Sequence, residues 1–252
     1  MNCRTFAVMV LAAALALPAA ARADMVGAPP DNGSGSDARS GAAGHFSAIT
    51  GETVAAGQDM VTAELGFPGF SFGYAHGVTD RFDVGAALDL LYGFRNTTLY
   101  NQFGMQLRVP LRYIVYRRGQ VAVQIHADPG LDFYTAPGCS ANYNYNYYSC
   151  QGGRLSSGPS SFGINVPVGV TVGFQATPAL RLALGADLPI DLNYSPSAYL
   201  QTGPMFGGGL EFFFDKQWSA GFNFRVGPQF FTVGDSTAQA GFVTQATVAY
   251  RL

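Results

Sequence analysis

Phe82-Asp83-Val84-Gly85-Ala86-Ala87-Leu88-Asp89-Leu90 puts an apolar side chain at every even position and an acid, a glycine or an alanine at every odd one. Successive side chains of a β-strand point to opposite faces, so the stretch reads as a strand with one apolar face and one small, charged face. The pattern recurs from Leu180 to Asp191, where Leu180, Leu182, Leu184, Ala186, Leu188 and Ile190 alternate with Arg181, Ala183, Gly185, Asp187 and Asp191. A soluble sandwich also alternates, with its apolar side inward. Here almost every charged strand residue shares its side with Gly, Ala, Ser and Thr, which makes that side too polar for a soluble core. The apolar side is then the outside, an arrangement that suits lipid, where strands cross only as a closed barrel.

The N-terminus agrees with export. Arg4 supplies a positive start, Phe6 to Leu17 are apolar, and Ala21-Arg22-Ala23 fits small-x-small cleavage before Asp24, so residues 1–23 read as a signal peptide. The apolar stretch falls short of the roughly 20 residues of a spanning helix. Charged residues are 12 % of the chain and aromatic residues 13 %, yet no later segment is apolar enough to span as a helix, so the apolar surplus is spread along strands. A net charge of −2 with scattered arginines gives no footprint for nucleic acid. Residues 24–57 read as a disordered or loosely ordered periplasmic lead-in, because 24 to about 45 are rich in Gly, Ala, Ser, Pro and Asp. Phe46 to Gln58 fits either a short interfacial piece or a plug-like segment against the barrel mouth.

Residues 58–252 divide into spans 59–67, 69–77, 81–93, 101–116, 120–133, 160–174, 179–192, 201–214, 217–231 and 238–252, each close to the roughly 9 to 11 residues of a tilted spanning strand. The fold class is all-β, a transmembrane antiparallel up-and-down β-barrel of about 10 strands, with eight or twelve left open by the tight first hairpin at Pro68. Alternate connections at Val78-Thr79-Asp80, Arg117-Arg118-Gly119, Ala176-Thr177-Pro178 and Asp215-Lys216 are short, as periplasmic turns are, and the long segment 134–159 falls on the outer side. Tyr74, Tyr113, Trp218, Phe230 and Tyr250 lie near span ends, where aromatic rings meet lipid headgroups.

Gly77-Val78-Thr79-Asp80-Arg81-Phe82-Asp83-Val84-Gly85 resembles the turns of small bacterial outer-membrane β-barrel proteins, and the ending Val248-Ala249-Tyr250-Arg251-Leu252 is similar to their C-terminal assembly signal, with Leu where Phe is usual. The resemblance implies location in the bacterial cell outer membrane, with outer-membrane lipids and the barrel-assembly machinery as partners, the latter through the C-terminal strand.

Cys139 and Cys150 are the only cysteines after signal removal, and an oxidising periplasm favours a disulfide between them. Tyr143, Tyr145, Tyr147 and Tyr148, interleaved with Asn, offer flat amphipathic surface to an external ligand, or simply rest on the rim of a stapled loop. The inward face carries Glu64, Asp83, Asp89, Asp128, Asp187, Asp191 and Glu211 against Arg108, Arg112, Arg181, Arg225 and Arg251, with His126 and Asn223. Near balance predicts mutual pairing across a narrow, mostly filled lumen.

These readings predict a structural or narrow-pore protein and not an enzyme. One alternative is a barrel hydrolase, acting on protein or lipid through His126 with carboxylates. Asp128 and Asp132 stand on the same strand, at a spacing that strains a direct bond to the imidazole, so a cross-strand carboxylate would be needed. A carrier of apolar solutes is the further alternative. No phosphate loop, metal cluster or cofactor motif stands out, so neither a metal nor a cofactor is expected.

Overall fold

Prolines at 110, 129, 167, 189 and 204 fall inside spans that alternation alone treats as continuous, and each interrupts the ladder because proline has no N–H to donate. The computed structural model describes residues 46–92, 103–134, 161–194, 199–232 and 238–252, which are all-β and antiparallel. Their strands are β1 (Asp59–Phe67), β2 (Gly69–Thr79), β3 (Phe82–Leu91), β4 (Gly104–Arg108), β5 (Leu111–Arg118), β6 (Val121–Ala127), β7 (Gly130–Tyr134) and β8 (Ser161–Asn165). They continue as β9 (Val168–Thr177), β10 (Leu180–Leu188), β11 (Ile190–Asn193), β12 (Tyr199–Thr202), β13 (Met205–Phe213), β14 (Trp218–Phe231) and β15 (Ala238–Arg251). The single sheet thus holds 15 segments where the sequence pattern predicts about ten spans.

The pairings close on themselves. On the side of the short turns the ladder runs β3-β2-β1-β15-β14-β13-β10-β9-β6-β5, and β5 returns to β3. On the opposite side it runs β3-β4-β7-β8-β11-β12, and β12 joins β14. The proline breaks sit side by side: Val109 N donates to Pro129 O at 2.8 Å and Asp128 N to Pro167 O at 3.0 Å, so backbone bonding carries across the belt of interruptions. Every described strand therefore finds partners on both flanks, which removes the exposed edges that invite aggregation.

The two faces separate as the alternation predicts. Leu182, Leu184 and Leu188 are exposed while Arg181, Ala183 and Asp191 are buried, and Asp83 and Asp89 are buried between half-exposed Phe82, Val84, Leu88 and Leu90. Exposed Phe70, Phe72, Phe206, Phe212, Phe222 and Phe224 extend the same apolar exterior over neighbouring strands. At the turn end Trp218 and Tyr250 face each other across β14 and β15, ring centroids 4.6 Å apart. Asp215 shapes the β13–β14 turn by accepting N–H bonds from Gln217 and Trp218 at 2.7 and 2.8 Å, which hold its carboxyl below the usual carboxylate range.

Residues 46–57 enter the space enclosed by these strands at the turn end. Phe46, Ser47, Thr50, Thr53 and Val54 are fully buried there. Phe46 packs with Val54, Met60, Ala75, Phe213 and Ala249.

Candidate functional site

Inward positions of the described strands carry charged side chains because alternate positions of each strand point inward, and register then decides which charges meet. Arg112 stands opposite Asp83 on β3 and donates Nε and Nη2 to its two oxygens at 2.8 and 2.7 Å. Arg108 makes the same forked contact with Asp89, Nε to Oδ2 at 2.5 Å and Nη2 to Oδ1 at 2.7 Å, and Ser71 Oγ donates to that carboxylate at 2.5 Å. Asp128 lies 3.7 Å from Arg108 Nη1. Bidentate geometry of this kind both strengthens and orients an arginine–carboxylate pair.

His126, Gly169 and Asp187 occupy one row across β6, β9 and β10. A Cβ on Gly169 would fall 2.2 Å from Asp187 Oδ1 and 2.5 Å from His126 Nε2. Glycine there opens the gap through which His126 Nε2 meets Asp187 Oδ1 at 2.9 Å. Arg225 Nε binds the other oxygen of Asp187 at 2.7 Å. The carboxylate bonded to the imidazole is thus the cross-strand Asp187, while Asp128 of its own span lies near Arg108.

These pairs border a chamber of about 270 Å³, walled by Glu64, Asp89, Arg108, Gln124, His126, Asp187 and Arg225 among others, with Ala48 and Ile49 of the inserted segment at its floor. Glu64 takes a bond from Gln245 Nε2 at 3.0 Å. Glu211 and Arg181, candidates for mutual pairing, instead face the inserted segment. Ser47 Oγ, Thr50 Oγ1 and Ala48 N donate to Glu211 at 2.5, 2.8 and 3.0 Å, and Ser219 Oγ adds a fourth bond at 2.8 Å. Arg181 donates to the carbonyl of Phe46 at 3.2 Å and lies over the Phe213 ring. Asp191 accepts from Asn165 on β8, and Arg251 lies over the Phe46 ring.

Ser47, Thr50 and Glu52, the last bonded to Arg117, are site residues that sequence reasoning did not single out. Their small, polar surroundings resemble lead-in sequence, and no local signal marks them. The predicted disulfide Cys139–Cys150 and the tyrosines 143, 145, 147 and 148 lie outside the described residues. Among the described residues no group of three or more His, Cys, Asp or Glu is arranged to hold a metal ion.

No protein-family model matches the chain, and no curated protein matches it. Among solved structures, it is similar to the KdgM porin in complex with disordered oligogalacturonate at 11 % identity and a TM-score of 0.33, over 77 % of this chain and 98 % of that one. It is also similar to Ail, the attachment invasion locus protein of Yersinia pestis, at 10 % identity and a TM-score of 0.22, over 77 % of this chain and 94 % of that one.

Proposed function

We propose that residues 58–252 form a β-barrel of ten spanning strands in the bacterial outer membrane, working as a structural or narrow-pore protein. The observation that carries this reading is the inversion of polarity around a closed pairing circuit, with phenylalanine and leucine outside and arginine–carboxylate pairs inside. In this reading β4 with β5, β6 with β7, β8 with β9, β10 with β11 and β12 with β13 are each one span broken at a proline. The inserted segment and the ion pairs border a chamber of about 270 Å³ in the lumen, which favours a closed or narrow path. A disulfide-closed loop carrying the four tyrosines would face the cell exterior and bind external ligands.

Planar-bilayer recording of the refolded protein tests this. Small, brief openings or silence are expected; a large, steady conductance would replace the narrow-pore reading with an open porin. The hydrolase alternative gains one observation, the His126–Asp187 contact at 2.9 Å that supplies an orienting carboxylate. It requires the protein to release acyl chains or peptides and His126→Ala to abolish that release, and identical release by parent and variant would remove it.

A further inference from the structure

We infer that the turn-end half of the lumen is a peptide-binding site, and that residues 46–57 occupy it as an intramolecular ligand. The wall is shaped for a chain passing through it. A Cβ on Gly173 would come within 1.9 Å of Thr50 O, one on Gly77 within 2.0 Å of Ala55 O, and one on Gly221 within 2.3 Å of Ile49 Cδ1. These glycines belong to β9, β2 and β14, so separate strands each omit a side chain where the segment lies. A segment merely trapped by collapse would not find matching recesses on unconnected strands.

The polar contacts are those of a binding site. Arg112 Nη1 donates to Ser47 O at 2.6 Å and Arg181 Nη1 to Phe46 O at 3.2 Å, while Asp83 Oδ2 accepts from Val54 N at 2.8 Å. Wall side chains thus satisfy the segment's backbone as a strand neighbour would. Side-chain readout comes from Glu211, which takes both hydroxyls, and from Phe46, set perpendicular to Phe213 with centroids 5.5 Å apart and beneath Arg251. Gly51 turns the chain with φ +82°, a conformation glycine adopts freely. The ligand class is a peptide that bends after an aromatic residue and an adjacent serine, with a second hydroxyl three residues beyond that serine folded back against it.

Site and ligand are also separable. The closed circuit of strands uses none of residues 46–57, and among the described residues backbone bonds join the segment to the wall only at Gly57 and Gln58, both with Gly77. Side chains hold the remainder.

A full-length variant carrying Phe46→Ala, Ser47→Ala and Thr50→Ala weakens the tethered ligand and leaves the wall intact. It should lose protease protection within 46–57 and bind a fluorescein-labelled peptide of residues 46–57 saturably in detergent, read by anisotropy. Adding Glu211→Gln should weaken that binding at least about tenfold, as loss of hydrogen bonds to a charged acceptor implies. The parent, with its site filled, should bind the peptide far less. Gly173→Val, which keeps every ligand residue, should also expose the segment yet bind no peptide. The inference is overturned if the exposed triple variant shows no saturable binding or binding indifferent to Glu211→Gln. It is equally overturned if the parent binds the peptide as well as the variant does, or if the segment stays protected in both the triple variant and Gly173→Val. Binding is read without any conductance, so a silent bilayer leaves this result standing.

Discussion

Arg108→Ala combined with Arg112→Ala is expected to destabilise the closed sheet by up to about 3–5 kcal/mol for each largely buried pair that it breaks. The cost comes from the carboxylates left behind. Asp83 is 1 % exposed, so it cannot recover its hydration without rearrangement, and Asp89 at 5 % reaches water only through the chamber it lines. Arg112 contributes the larger share, because it also holds the carbonyl of Ser47 and its loss loosens the inserted segment. Arg108 borders the chamber, where water can reach Asp89 and reduce the penalty. Denaturant unfolding in lipid vesicles measures the loss, and bilayer recording should show a gain of cation-selective conductance as water follows the unpaired acids. A parent that already conducts strongly, with a variant that changes only ion preference, would mean that these pairs line an open path and do not fill it.

The faces were legible in the sequence because period-two alternation is a local property. Asp83, Asp89, Arg181 and Asp191 could be placed inward from their immediate neighbours, and the structure buries each of them. Partner identity was less accessible, since a pair depends on register between strands far apart in the chain. Arg112 finds Asp83 across 29 residues and His126 finds Asp187 across 61. Gly169, which makes the second meeting feasible, looks in sequence like any small inward residue.

The prolines were readable but outweighed by the alternation that continues through them. Pro110, Pro129, Pro167, Pro189 and Pro204 each carry the plain physical signal of a missing donor, and their lateral alignment into a belt emerges only once the strands are paired. The inserted segment was the least legible part. Its Ser, Thr, Gly and Ala residues have the composition of a linker, and what makes them a buried element is complementarity with Glu211, Arg112 and Arg181, contributed by separate strands.

The second large effect belongs to the exterior. Leu184 lies midway along β10, paired with Val172 and Gly208, and is 72 % exposed. In water such a leucine could become arginine at almost no cost, because surface substitutions away from special features usually stay within about 0.5 kcal/mol. In a bilayer the same change forces a guanidinium into hydrocarbon, and Leu184→Arg should cost about 2–4 kcal/mol near the midplane. Ala183, its inward neighbour, is a poor control because it is buried between Gly173 and Gly209, with the inserted segment against Gly173. Thr62 is better, since it borders the chamber on the same face as Glu64. A cation at Thr62→Arg gains a nearby carboxylate and water, so its cost should fall clearly below that of Leu184→Arg. Vesicle unfolding titrations of the two variants decide the matter: equal losses, or a negligible loss for Leu184→Arg, would mean that the apolar exterior does not face lipid.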